Sequence, residues 1–218
     1  VEISHFKLSG QHNWGRSKET VPMIEAARKE GIEVTIDQYP YTASSTSIST
    51  LIPDEVLADG QDSIKARLQR PDVKKYVISY MLAKLKKRKL KHFSYAVVAN
   101  YIPDTTYNGK SIEQINLMKG RKHKVKEEAI TIIDIMLNGG ASAVFHGMGD
   151  EDVKRIMKYP YNMFASDASI RVLNAGMPHP RGYGTNARVL AKYVREEKVI
   201  TLEEAIRRMT SLPAQKFQ

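Results

Sequence analysis

The stretch Met163-Phe164-Ala165-Ser166-Asp167-Ala168-Ser169 limits the possible folds more than any other in the chain. Two large apolar residues lead into small ones and then into one carboxylate. That order suits a buried parallel strand ending in an acid at its C-terminal edge. In barrels of alternating strands and helices, that edge is where chemistry is done. Asp167 also has a plainer reading as a helix N-cap or turn residue, since Ser-Asp before a loop often is one. The segment Pro178-His179-Pro180-Arg181-Gly182-Tyr183-Gly184-Thr185 favours the first reading. It reads as a loop too rich in rings and guanidinium to be only a spacer, and such loops carry function.

The opening of the chain supplies that strand with neighbours. Val1 to His5 reads as a strand closing on a histidine, and 6–17 as loop, with Asn13-Trp14-Gly15 inside it. A helix is expected over 18–29, with Val21 and Ile24 on its apolar face and Gly31 as its stop. The β-branched run 32–37 is a second strand, followed by Gln38-Tyr39-Pro40-Tyr41 and a small-residue loop over 42–50. Strand, helix, strand is the parallel crossover unit. From 53 to 140 the rhythm breaks into an elaborated excursion, with helices expected over 54–57, 63–69, 73–89, 112–119 and 127–137 and a strand near 93–99. A strand over 141–146 follows, then a helix over 153–158 preceded by acids, where the helix dipole favours them. Helices over 186–197 and 202–209 close the chain, the second opened by a Thr201/Glu204 capping box.

Composition narrows the functional classes. With 218 residues there is room for one large domain or two small ones, and the absence of cysteine excludes disulfides and thiolate metal sites within this sequence. No apolar run is long enough to span a bilayer and no signal peptide is visible, so a cytoplasmic protein with no membrane partner is expected. The chain starts at Val1 and reads as a piece of a longer protein. Much of its formal net charge of +10 is concentrated in the run Lys84 to Lys91. Val77, Met81 and Leu85 recur at four-residue spacing ahead of that run, which makes it the solvated face of a helix. No nucleic-acid module surrounds it, and no nucleic-acid partner is expected.

Three strand ends carry polar groups: His5 with Lys7, Asp37 with Tyr39, and Asp167. In a parallel sheet these ends share one face. A neutral imidazole there can ligate a divalent metal, and a carboxylate can ligate it or take a proton from water. A strand-end histidine can equally be hydrogen-bonded structure. Among the other histidines, His12, His92 and His123 lie in polar or basic surroundings and read as surface residues. His146 reads as structural, His179 as a brace for the Arg181 loop, and Trp14 as a packing residue.

Six segments together resemble the N-acyl-D-amino-acid deacylases of the metal-dependent amidohydrolase superfamily. They are Ile3-Ser4-His5-Phe6-Lys7, Asn13-Trp14-Gly15-Arg16-Ser17, Asp37-Gln38-Tyr39-Pro40-Tyr41 with Ser44-Ser45-Thr46, Phe164-Ala165-Ser166-Asp167, His179 to Thr185, and Leu202 to Thr210. The resemblance implies an α/β fold, a partial (β/α)8 TIM barrel comprising strands 6 to 8 with their helices. Residues 1–218 would be the C-terminal part of that barrel domain, with 53–140 as a long helical insertion. It implies a zinc cofactor, with His5 a zinc ligand and Asp167 the general base that also touches a second metal. Lys7, Tyr39, Ser45 and Arg181 align with positions that hold the substrate carboxylate, and Met148 with one that lines the pocket. The family's remaining metal ligands, a His-x-His, a cysteine and a further histidine, have no counterpart in this sequence. The implied reaction is hydrolysis of an N-acyl-D-amino acid to a D-amino acid and a carboxylate. The alternatives are a cyclic-amide hydrolase similar to dihydroorotases and hydantoinases, or a non-catalytic basic binding domain using residues 84–91. A half-barrel would expose strand edges, so self-association is expected.

Overall fold

The computed structural model describes residues 1–170, 172 and 176–218, and the chain divides into two compact units. The first contains residues 1–42, the segment from 147, and 180–218. Its centre is β2 (Thr35–Gln38), every residue of which is buried. β1 (Glu2–Ile3) pairs with β2 in parallel, placing Ile3 opposite Ile36. β6 (Asn162–Phe164) pairs with its other side, also in parallel, placing Asp37 opposite Met163. The order β1-β2-β6 is that of a parallel sheet fed by crossovers.

The helix α1 (Ser17–Lys29) makes the first crossover, and its Ile24 packs with Leu8, Val34 and Ile36. Before β6 comes α6 (Asp150–Met157), with three acids in its first turn as expected. One of them turns inward. Buried Asp152 accepts hydrogen bonds from the amides of Gly15 (2.7 Å) and Ser17 (3.1 Å) and from the Ser17 hydroxyl. It thereby serves as the N-terminal cap that α1 lacks in its own sequence. A second apolar cluster joins Val153, Met157 and Phe164 to Val189, Tyr193 and Ala205. Those last residues lie on α7 (Arg181–Arg188), which continues as a π-helix over Val189–Glu196, and on α8 (Leu202–Met209). Thr201 caps α8 by accepting from the Glu204 amide, but the Glu204 side chain bonds Arg207 and Arg208 instead of closing the box. A further helix, α9 (Ser211–Phe217), follows.

The second unit contains residues 43–146 and the described part of 172–179. Its sheet is antiparallel in the order β3-β5-β4, formed by β3 (Ala43–Ser47), β4 (Ala96–Asn100) and β5 (Ser142–His146). The expected 42–50 loop is therefore largely a strand. Small hydroxyl side chains carry little strand signal of their own, and pairing along the full length of β5 sets the conformation. Around the sheet lie α2 (Gly60–Gln69), α3 (Pro71–Lys87), α4 (Ile112–Met118) and α5 (Val125–Leu137). Val77, Met81 and Leu85 of α3 are buried as their spacing implies, while Lys84, Lys86 and Lys87 are exposed. One continuous core runs from Ile48 to Phe145 and takes in Leu68, Phe93, Ile112, Ile132 and Ile135.

The fold is thus mixed α/β. Among the described residues both three-stranded sheets are open, and neither closes into a barrel. No helix among them is long and apolar enough to cross a membrane.

Candidate functional site

The parallel sheet carries His5 and Asp167 just beyond the C-terminal ends of its two outer strands, β1 and β6. Both have left-handed backbones, with φ of 43° and 47°. Few non-glycine residues adopt this conformation, and those that do cluster at functional positions. Asp37, on the central strand between them, holds the first in place. Its Oδ1 accepts from the His5 amide at 2.8 Å and its Oδ2 from the Ser4 hydroxyl at 2.9 Å. Phe6 N then bonds the Asp37 carbonyl at 2.7 Å. Asp37 is an anchor for the turn that presents His5, with both oxygens committed.

Arg181 is buried, and its Nη1 pairs with Asp167 Oδ2 at 2.7 Å. The same guanidinium lies over the Tyr39 ring, 4.5 Å from its centroid, while Lys7 Nζ lies 5.5 Å from that centroid. Lys7 also donates to the His5 carbonyl. Burial lowers the Lys7 ammonium from its ordinary value, Asp167 counteracts that, and Arg181 adds to the lowering. Burial raises the Tyr39 phenol, which keeps it a neutral donor at physiological pH. Met148 is buried beside these groups, bridged to Ser9. With Lys7, Leu8, Tyr39 and Tyr41 it lines a cavity of about 10 Å³, room for a single water.

Arg181 is the first residue of α7, so the segment expected as loop from 178 to 185 is helical from that point. Proline is tolerated ahead of a helix, and Thr185 Oγ1 bonds the Arg181 carbonyl at 2.8 Å within the first turn. Gly184 belongs there because a Cβ would come within 2.9 Å of the Tyr41 hydroxyl. One turn on, Arg188 Nε donates to the Pro40 carbonyl at 2.8 Å and lies over the Tyr41 ring. This ties the 39–41 loop to α7, and no local sequence signal marks Arg188 for that role.

The structure therefore brings Lys7, Tyr39, Asp167 and Arg181 together, with Met148 on the same cavity as Lys7 and Tyr39 and His5 at the neighbouring strand end. Ser45 belongs to the second unit, in the middle of β3 opposite Val144. His179 is also in that unit, where its Nε2 donates to the Ala43 carbonyl at 2.9 Å. His92 and His123 are not simple surface residues. They meet Glu113 and Glu128 in one cluster, also within the second unit. Those contacts form between residues ten or more positions apart, which periodicity does not reveal.

An imidazole and a carboxylate are suitable donors for zinc. In kind, His5 and Asp167 fit that metal. In number they fall short, because among the described residues they belong to no group of three ligating side chains, and a catalytic zinc takes three protein ligands.

No protein-family profile matches the chain. Individual proteins do, and they place it among relatives of the metal-dependent amidohydrolases. Over its whole length it is homologous to the N-acyl-D-amino-acid deacylases. An N-acyl-D-glutamate deacylase of Alcaligenes xylosoxydans xylosoxydans is 31% identical over 215 residues, covering 99% of this chain and 34% of that protein. The crystal structure of a D-aminoacylase that defines a subset of amidohydrolases superposes with a TM-score of 0.67 at 30% identity, covering all of this chain and 35% of that one. The N-acyl-D-glutamate deacylase of Bordetella bronchiseptica, solved with zinc and a phosphonate mimic of the tetrahedral intermediate, gives 0.67 at 30% identity, covering 98% and 35%. The chain spans about a third of the length of the relatives it matches.

Proposed function

We propose that this chain supplies the substrate-carboxylate clamp and the general base of a zinc-dependent N-acyl-D-amino-acid deacylase. In this reading the parallel sheet is strands 6 to 8 of a (β/α)8 barrel, and residues 53–140 are an excursion from it. The observation that carries it is the Arg181–Asp167 ion pair, set over Tyr39 beside Lys7 at the C-terminal ends of parallel strands. Arg181 offers a planar fork to a carboxylate, Lys7 a point charge and Tyr39 a hydroxyl. Met148 lines the small cavity beside these groups. A substrate carboxylate competes with Asp167 for Arg181, so binding releases the base at the position where it is needed.

His5 would hold the tightly bound zinc, with further ligands from outside this sequence, and Asp167, the base, would touch only a second, weaker metal. When bound, zinc supplies a water of lowered pKa and a polarised amide carbonyl. Asp167 takes the water proton on its carboxylate and returns it to the leaving amine. The buried Arg181 fixes one end of the substrate, so only one configuration at the α-carbon directs its side chain clear of the wall.

The test is hydrolysis of N-acetyl-D-glutamate, N-acetyl-D-aspartate and N-acetyl-D-leucine with zinc supplied. It is made on the chain alone and on a chimaera in which residues 1–218 replace the matching third of a D-aminoacylase. The chain alone should be inactive and the chimaera active. Asp167→Asn in the chimaera should lose about 10³–10⁴-fold in kcat while keeping its fold and most of its tightly bound zinc. Robust turnover by Asp167→Asn would overturn the base assignment, and full zinc content in His5→Asn would overturn the ligand assignment.

A further inference from the structure

We propose that His92, Glu113, His123 and Glu128 form a structural site for a divalent transition-metal ion of the zinc class, within the antiparallel unit. One ligand atom from each residue lies within 4.8 Å of the other three. His92 Nδ1 is 2.5 Å from Glu128 Oε1 and 3.7 Å from Glu113 Oε1, and His123 Nε2 is 2.6 Å from that same Glu113 oxygen. Four donors around zinc with bonds of about 2.0–2.1 Å stand about 3.3 Å apart, so the set reaches coordination by shifts of about 1 Å.

The charge balance of the cluster favours a cation. The His92 and His123 rings stack with centroids 4.3 Å apart and planes 20° from parallel. Two protonated rings in that stack repel. With one ring charged or neither, two carboxylates, one of them the fully buried Glu128, are left short of counter-charge within the cluster. A divalent ion removes both difficulties, because it binds neutral imidazoles and compensates both carboxylates.

The supports are already in place. Glu128 lies in the first turn of α5, and its Oε2 accepts from the Phe93 amide at 2.7 Å, which orients the ligating oxygen. Glu113 lies in the first turn of α4, and His123 on the connection between the two helices. His92 immediately precedes buried Phe93. Two imidazoles and two carboxylates select zinc or a neighbouring transition ion over calcium or magnesium, which prefer all-oxygen sites. Four protein ligands leave no open position, so the role is to tie α4, α5 and the 92–95 turn together.

The experiment strips the chain with a chelator and titrates it with zinc chloride and, separately, with cobalt chloride. One equivalent of zinc should bind through this cluster, and cobalt should give the visible bands of a tetrahedral site. The melting temperature should rise by roughly 5–10 °C with zinc in large excess over its dissociation constant. Calcium should produce neither effect. His123→Gln, at a half-exposed position, should lose the equivalent, the bands and the shift, whereas His5→Asn should keep all three. Glu113→Gln serves as the second variant, and zinc-edge absorption of the unaltered protein reads the ligands directly. Unchanged binding in His123→Gln, no melting shift with zinc, or an absorption spectrum without imidazole scattering would overturn the site. The His5 variant keeps this outcome separate from that of the deacylase reading.

Discussion

In the parallel unit the strands are two to four residues long and the apolar core is split between two small clusters. Buried polar groups bridge the gaps. Asp152 caps α1, Asp37 anchors the His5 turn, and Asn162 Nδ2 donates to Gln38 Oε1 at 2.8 Å inside the sheet. In the antiparallel unit every strand has five residues and one core extends through all four helices. The comparison shows two ways of reaching stability. The unit that presents strand-end chemistry relies on hydrogen bonds that fix particular side chains. The other relies more on apolar burial, although Ser111, Asn116, Thr131 and Glu128 are also buried there.

The largest test of that contrast is Ile132→Ala on α5. Ile132 is fully buried in the antiparallel core, and the truncation should cost about 3–4 kcal/mol. The protein has a single tryptophan, Trp14, in the parallel unit. Denaturant unfolding followed by Trp14 fluorescence and by circular dichroism separates the units. A shift in the dichroism transition alone would sharpen the contrast, and equal shifts in both would dissolve it into one cooperative structure.

Asp152→Ala is the counterpart in the parallel unit. It deletes no sizeable apolar volume but leaves the amides of Gly15 and Ser17 without their acceptor. A cost of about 2–3 kcal/mol in the Trp14 transition is expected, as for buried donors left unsatisfied. A cost under about 0.5 kcal/mol would show that the polar anchors are dispensable.

Much of the parallel unit can be read from the chain because its signals are local. The run over 32–37 is β-branched, the 18–29 helix has its apolar spacing and its glycine stop, and Asp167 follows an apolar-to-small transition. Tyr39, Lys7 and Arg181 could be placed in one site through the family resemblance, and the geometry gathers them. What escaped depends on partners distant in sequence. β3 is a strand because β5 lies beside it, not because Ser44, Ser45 and Thr46 prefer to be extended. Arg181 begins a helix although Gly182 and Gly184 fall in its first turn, since Thr185 and the packing of Val189 and Tyr193 favour it. His92 and His123 looked like surface residues among lysines, and only the return of α5 beside α4 brings them to Glu113 and Glu128.

A smaller change tests the carboxylate clamp. Arg181→Lys keeps the charge and removes the fork. In the active chimaera it should reduce kcat/KM for acylated amino acids with a free carboxylate by about 10–100-fold. The amidated substrate, poor from the outset, should change little. Equal losses on both would assign Arg181 to support of α7 alone.

The smallest effect belongs to Glu204, which holds the C-terminal helices of the parallel unit by charge. Its carboxylate accepts from Arg207 Nε at 2.8 Å and from Arg208 Nη2 at 2.7 Å. Arg207 first, and then Arg208, hold it down at about 2 against an ordinary 4.5, while desolvation works the other way. The sign follows from linkage. Below pH 4.5 the unfolded chain takes up a proton that the folded protein still refuses, so the stabilisation is complete above 4.5 and fades as the pH falls towards about 2. The side chain is more than a third exposed, so solvent screening limits the gain to about 1 kcal/mol or less. Glu204→Gln should therefore be slightly less stable than the parent above pH 4.5, and the gap in Trp14 unfolding midpoints should close on acidification through that window. A gap that is constant with pH would mean the side chain acts by packing and hydrogen bonding alone, and one that widens in acid would reverse the assigned sign.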